Sequence, residues 1–309
     1  MLDLKGQDIL DGAQFSREQL EGIMRLAEDF RAQVREKKPL DLMRGLVMAS
    51  LFFEPSTRTR LSFETAMHRL GGSVIGFAST EGTSVAKGET LVDTIRTVDQ
   101  YADIIVMRHP QIGSAREAAA VAQAPVINGG DGAGQHPTQA LLDLFTIRSE
   151  CGGLDGRTIV LCGDLKNGRT VHAGVELYKH YACRLIFVAP EALKMPPAIT
   201  ERLRQLGVPV EETADLAEAL PRADVLYMTR IQRERFADPA EYERLKDSYI
   251  LTRAMLERLN PRLTVLHPLP RVNEIATDVD SLPNAAYFRQ AQNGVYVRMA
   301  LLALVAGRI

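Results

Sequence analysis

Cysteine is scarce in this chain, and the few present stand apart. Cys151, Cys162 and Cys183 form no C-x-x-C pair and have no histidine at ligand spacing. That argues against both a zinc site and a disulfide framework and leaves buried, reduced thiols as the expectation, with no metal. Long apolar runs are missing too: no stretch approaches the roughly 18 uninterrupted apolar residues of a membrane span. The opening Met1-Leu2-Asp3-Leu4-Lys5 lacks a basic start followed by an apolar core. A cytoplasmic protein without a membrane partner is therefore expected. Nor does charge of one sign dominate. A formal net charge of -2 creates no general field for nucleic acid or an anionic surface, so any anion must be held by locally clustered Arg and Lys. No internal repeat or low-complexity segment is visible.

What is present is an ordinary globular balance, 46% hydrophobic and 25% charged residues. At 309 residues the chain exceeds the usual limit of a single core, so two domains are expected. Residues 46–53 form a continuous apolar run of strand length that stops at Glu54-Pro55, where proline cannot continue a central ladder. Directly after it, Phe63, Ala66, Met67 and Leu70 recur at helical spacing, and Gly71-Gly72 follows as a stop. Further strand-length runs at 74–77, 104–107 and 125–128 alternate with helix-compatible segments at 90–102, 115–123 and 137–148. After Gly152-Gly153, read as a hinge, the pattern restarts. Strands are expected at 158–162, 184–188, 225–228 and 264–266, and helices at 169–181, 199–206, 216–220 and 251–259. The charged stretch 232–247 reads as a long mobile loop with a short helix, and 295–305 as a packed C-terminal helix. The fold class is α/β: two doubly wound parallel-sheet domains, over 1–150 and 151–289. The active site is expected in the cleft between them, and a helix at about 290–309 is expected to pack back on the first domain, although the pattern alone does not show where it docks.

The densest chemistry lies in Phe52-Phe53-Glu54-Pro55-Ser56-Thr57-Arg58-Thr59-Arg60, which puts three hydroxyls and two arginines at the start of a helix leaving a strand. Helix N-terminal amides lack intrahelical partners and carry the positive end of the dipole. Hydroxyls add donors, and arginine adds a forked cation. Basic residues there oppose the macrodipole, which makes more sense if an anion sits between them. The plain alternative is a Ser56 cap with solvated arginines.

This run resembles the carbamoyl-phosphate signature of the aspartate and ornithine carbamoyltransferase family. So do 83–90 (TSVAKGET), Met107-Arg108-His109-Pro110, His136-Pro137-Thr138-Gln139, Asp164-Leu165-Lys166-Asn167-Gly168-Arg169, Arg230-Ile231-Gln232 and His267-Pro268-Leu269-Pro270, in the family's order. The resemblance implies transfer of a carbamoyl group from carbamoyl phosphate to an amine, and within the family the aspartate branch, giving N-carbamoyl-L-aspartate and phosphate in de novo pyrimidine (UMP) biosynthesis. An ornithine-type enzyme typically carries Cys where Pro268 stands.

The same resemblance implies that Ser56, Thr57, Arg58, Thr59 and Arg108 hold the phosphate, and that Arg58, Thr59 and His136 reach the carbonyl oxygen. Gln139 and the backbone of Leu269 and Pro270 would take the carbamoyl NH2. Arg169, Arg230 and Gln232 would hold aspartate, whose two carboxylates suit paired guanidiniums. Glu54 would pair with Arg169 and Arg235 on closure. Lys87 would enter a neighbouring subunit's site within a homotrimer and touch both substrates, with Ser84 on the phosphate. Thr83 and Ser84 are adjacent, so either hydroxyl fits. Taken alone, His136 would be a structural or surface histidine, and Arg108 and Arg235 solvated charges. The family implies no cofactor and no metal, and leaves open association with regulatory or dihydroorotase-like chains. A dehydrogenase reading of 163–168 fails because G-x-G-x-x-G is absent and Phe187-Val188-Ala189 occupies the place of the acidic partner.

Overall fold

A computed structural model describes residues 2–233, 236, 238–257 and 262–309. The chain divides into two compact units, Met1–Phe145 with Ala291–Ile309, and Thr146–Gln290.

The first unit contains α1 (Arg17–Arg35), β1 (Val47–Phe52), α2 (Thr57–Arg69), β2 (Ser73–Phe77), α3 (Leu91–Val98), β3 (Ile104–His109), α4 (Ser114–Ala119) and β4 (Val126–Asp131). It continues into α5 (Pro137–Cys151), within which the division falls, ahead of Gly152-Gly153. Its strands pair in the order β2-β1-β3-β4, all parallel. Alternate residues Ala49, Leu51, Ile105, Met107 and Val126 pack with Ile95, Ala115 and Ala118 on one face. Met48, Phe52, Ile104, Val106 and Ile127, pointing the other way, are buried as well. A sheet covered on both faces is why these strands read as unbroken apolar runs rather than alternating ones.

The second unit repeats the scheme with β5 (Thr158–Cys162), α6 (Arg169–Tyr178), β6 (Arg184–Val188), α7 (Pro197–Gln205), β7 (Val210–Thr213), α8 (Leu216–Ala219), β8 (Val225–Met228), α9 (Pro239–Leu245), α10 (Arg253–Leu256) and β9 (Thr264–Leu266). The strand order is β7-β6-β5-β8-β9, again parallel throughout. The last helix, α11 (Tyr287–Val305), begins in this unit and ends in the first, where Gly6 N–H donates to the Val305 carbonyl at 2.8 Å.

Two elements lie outside the sequence expectation. Helix α1 buries Leu20, Ile23, Met24, Ala27 and Phe30, an i, i+3, i+4, i+7 stripe among many charges, and its Ser16 cap accepts from Gln19 N–H at 3.2 Å. Strand β7, Val-Glu-Glu-Thr, sits at a sheet edge, where no apolar face is required. Helix α4 is shorter than 115–123. Within 251–259 the helix spans only Arg253–Leu256, because Leu251 bridges to Ile275 instead; residues 258–261 lie outside the described residues. Cys162 and Cys183 are buried free thiols, and burial pushes the Cys183 thiol up to about 12. Cys151 is free and half-buried. Among the described residues no helix is long and apolar enough to cross a membrane, and no cluster of three or more potential metal ligands occurs.

Candidate active site

Ligands of open α/β sheets bind beyond the carboxyl ends of the strands, where successive connections depart in opposite directions. In the first unit that point lies between β1 and β3, since β2 adds on one side of β1 and β3 on the other. Register pairs Phe52 with Arg108 there, and Phe53 N–H donates to the Arg108 carbonyl at 2.9 Å. Helix α2 starts immediately beyond. Ser56 is its N-cap in extended conformation but makes no side-chain cap, and the first turn carries no acidic residue. The amides that an ordinary serine cap would satisfy are left to another acceptor, which disfavours the plain capping alternative. Thr57 and Arg58 are exposed and Thr59 is buried.

The two arginines of the motif part company. Arg60 Nη1 donates to Glu64 Oε1 at 3.1 Å, and Ser50 donates to the same carboxylate oxygen at 3.0 Å. Arg60 is thus engaged on its own helix. Arg108 Nε donates to Glu54 Oε1 at 3.0 Å, with Nη2 on the same oxygen, and Nη1 reaches the Gly129 carbonyl at 3.5 Å. Glu54, for which the resemblance implies Arg169 and Arg235, here accepts from its neighbour across β1 and β3. Arg235 lies outside the described residues.

His136 follows β4 and is 4% exposed; its carbonyl accepts from Gln139 N–H at 3.0 Å as α5 begins. Gln139 Nε2 donates to Asp143 Oδ1 at 2.8 Å, one turn on. With the amide nitrogen committed there, the Gln139 carbonyl oxygen is left as the acceptor. Segment Ser84–Lys87 forms a short 3-10 turn with Ser84 and Lys87 exposed. The Thr83 hydroxyl donates to the Thr80 carbonyl at 2.7 Å.

In the second unit the corresponding point lies between β5 and β8. Gly163, at φ +123, ends β5 so close to β8 that a Cβ would meet the Thr229 carbonyl oxygen at 2.3 Å. Arg230, half-buried, follows directly, and half-buried Gln232 lies two residues on. Asp164 is buried and accepts from Asn167 N–H at 2.9 Å; burial pushes its carboxyl up while the Asn167 bonds pull against that. Gly168 then caps α6, because a Cβ there would meet the Asp164 carbonyl oxygen at 2.5 Å. Arg169 is the first helical residue, again with no acidic residue in the first turn. Beyond β9, the half-buried Leu269 sits at φ 55 and is joined to Pro270 by a cis bond.

Each unit therefore presents cations and uncapped helix amides at its own switch point. Residues 7–149 match the family description "Aspartate/ornithine carbamoyltransferase, carbamoyl-P binding domain", and residues 155–305 match "Aspartate/ornithine carbamoyltransferase, Asp/Orn binding domain". The chain belongs to the aspartate/ornithine carbamoyltransferase family. It is 56% identical to the aspartate carbamoyltransferase catalytic subunit of Thermococcus kodakarensis over 99% of each chain. It is similar to the crystal structure of the Trypanosoma cruzi aspartate transcarbamoylase in complex with carbamoyl phosphate and aspartate, at a TM-score of 0.93 and 45% identity, covering 98% of this chain and 97% of that one. The catalytic subunit of the M. jannaschii aspartate transcarbamoylase gives 0.92 and 47%, covering 97% and 98%.

Two residues outside the family motifs back the first turn of α5, Asp143 through Gln139 and Arg298 through Thr138. Asp143 is fully buried, and so is Arg298 of α11, whose Nη2 donates to Thr138 at 3.3 Å and whose guanidinium lies 4.8 Å from the Phe63 ring of α2. Burial pushes the Arg298 guanidinium down to about 9, with Asp143 opposing the shift. An arginine within the apolar stretch 295–305 is the signal a sequence offers for such a pair, but its partner cannot be read from spacing.

Proposed function

We propose that this protein transfers the carbamoyl group of carbamoyl phosphate to the amine of L-aspartate, as in pyrimidine biosynthesis. The observation that carries the reading is the start of α2: a serine that does not cap, three hydroxyls, Arg58 and no acidic residue, beside Arg108 at the β1/β3 switch point. In this proposal Ser56, Thr57, Arg58, Thr59 and Arg108 hold the phosphate, while Arg58, Thr59 and His136 donate to the carbonyl oxygen. Attack by the amine builds negative charge on that oxygen, and preorganised donors there are usually the largest catalytic contribution. Gln139 supplies an acceptor for the carbamoyl NH2, joined by the backbone of Leu269 and Pro270. Arg169, Arg230 and Gln232 take the aspartate carboxylates. The amine nitrogen bonds to the carbonyl carbon, the carbon–oxygen bond to phosphate breaks, and phosphate departs with the amine proton.

Glu54 exchanging Arg108 for Arg169 and Arg235 as substrates bind belongs to the same proposal. So does a cyclic homotrimer in which Lys87 completes a neighbour's site. Ser84 is favoured over Thr83 for the phosphate because the Thr83 hydroxyl is committed to Thr80. The test is a carbamoylation assay of the purified chain with aspartate, ornithine and buffer alone. Aspartate-dependent formation of N-carbamoyl-L-aspartate is expected, and turnover with ornithine in preference to aspartate would overturn the reading.

A further inference from the structure

His267 and Glu274 form a buried pair that the reaction as proposed does not use. His267 is 1% and Glu274 4% exposed, and Nε2 of the ring lies 2.7 Å from Glu274 Oε1. The other ring nitrogen, Nδ1, accepts the backbone N–H of Leu269 at 2.7 Å. A nitrogen that accepts an N–H carries no proton, so the ring proton resides on Nε2 and is donated to Glu274. The second carboxylate oxygen is also committed: Oε2 accepts the backbone N–H of Val272 at 3.0 Å and of Asn273 at 3.1 Å. The start of the motif is fixed as well, since His267 N–H donates to Gln290 Oε1 at 2.9 Å.

What this chain of bonds restrains is Leu269. It is one of two non-glycine residues with positive φ among the described residues, a conformation that persists only where the surroundings hold it. We propose that His267 and Glu274 are positioning residues, a proton-ordered brace that locks the Leu269-Pro270 backbone in the geometry that receives the carbamoyl NH2. The inference rests on the function proposed above for the role of Leu269 and Pro270, but the brace itself stands on the geometry of the second unit.

The proton order makes the brace testable apart from side-chain size. His267→Asn places an oxygen where Nδ1 sits, and asparagine accepts the N–H two residues on in an ordinary Asx turn. His267→Gln is closer in length and reaches toward Glu274, but offers no acceptor to Leu269. Glu274→Gln keeps the volume and cannot satisfy the network either way. Its NH2 faces the Val272 and Asn273 amides, or it faces Nε2, which forces the ring proton onto Nδ1 against Leu269 N–H.

We expect His267→Gln and Glu274→Gln to raise KM for carbamoyl phosphate about tenfold or more, the effect of orphaning a buried donor, with His267→Asn closer to the parent. Crystal structures should show Leu269 at positive φ in His267→Asn and displaced in His267→Gln, whether or not the variants turn over. Equal KM in all three variants, losses that track their melting temperatures alone, or Gln outperforming Asn at position 267 would overturn the brace. If neither substitution at 267 folds, Glu274→Gln decides. A parent chain that fails to carbamoylate aspartate would instead sink the functional reading, leaving the crystallographic comparison to judge the brace.

Discussion

The helix starts of α2 and α6 use one backbone device with two different side-chain sets. Both follow a strand at the switch point of a parallel sheet, both lack a side-chain cap, and neither has an acidic residue in its first turn. Around α2 the added donors are hydroxyls from Ser56, Thr57 and Thr59, with Arg58 and Arg108. Around α6 the cap is Gly168, the loop before it is held by Asp164 and Asn167, and the donors by the proposed function are the guanidiniums of Arg169 and Arg230. Converging hydroxyls, amides and a cation suit the several oxygens of a phosphate, whereas forked guanidiniums match planar carboxylates in bidentate fashion. Under the proposed function the difference would be specificity layered on a shared scaffold: phosphate in the first unit, dicarboxylate in the second.

The hardest test of that division is Arg58→Ala. Arg58 is exposed at the start of α2, so its removal should leave the melting temperature nearly unchanged. By the proposed role it donates to the developing oxyanion as well as the phosphate, where one donor is worth about 3 kcal/mol, so kcat/KM should fall roughly a hundredfold or more. Turnover within about tenfold of the parent, roughly 1.4 kcal/mol of barrier, would remove Arg58 from the cradle.

A linked experiment asks whether the first unit's set is complete within one chain. Ser84 and Lys87 lie on an exposed turn rather than at the switch point. If Lys87 serves a neighbour, mixing inactive Lys87→Ala chains with inactive Arg58→Ala chains should regain about a quarter of parental activity, because random closed trimers join intact partners at one site in four. Verified subunit exchange without recovery would return Lys87 to its own chain or to solvent.

The second unit's half of the comparison is tested by Arg230→Ala. Loss of a charge-assisted contact to a carboxylate should raise KM for aspartate by about tenfold to a hundredfold. Carbamoyl phosphate binding, measured by calorimetry, should persist. Equal loss of both affinities would show that the substrates are not divided between the two sets.

Much of this arrangement is legible in sequence because doubly covered parallel strands force unbroken apolar runs, and proline or glycine marks where several of them stop, as at Pro55, Pro110 and Gly163. Runs at 46–53, 104–107, 158–162 and 225–228 thus mark strands with candidate residues just beyond their ends, while only the strand order shows that these four flank the switch points. Side-chain partners were less accessible. That Glu54 meets Arg108 depends on the β1/β3 register, which juxtaposes residues far apart in sequence, and the burial of Arg298 near Asp143 depends on where α11 packs. Helix α1 is masked in the sequence although its stripe is present, since the charges between its apolar positions break up any apolar run. Strand β7 gave no stripe at all, because an edge strand with two glutamates owes its place to pairing with β6.

The smallest expected effect separates the two arginines of the motif itself. Arg60 stands two residues from Arg58, and by composition either could serve the phosphate. Its guanidinium is instead 3.1 Å from Glu64, one turn along α2, and Ser50 from β1 donates to the same carboxylate. Both charged side chains are partly exposed, 32% and 21%, so solvent screens the pair. Arg60→Ala should thus cost only about 0.3–0.5 kcal/mol of stability, a small fall in melting temperature, and change kcat/KM less than about threefold. Glu64→Ala should cost more stability, about 1–3 kcal/mol, because it also orphans the buried Ser50 hydroxyl, yet it should leave kcat/KM similarly unchanged since no group of the cradle is removed. A loss of carbamoyl phosphate affinity in Arg60→Ala comparable to that in Arg58→Ala would mean that Arg60 leaves Glu64 for the ligand, and the cradle would then have to be redrawn with both arginines in it.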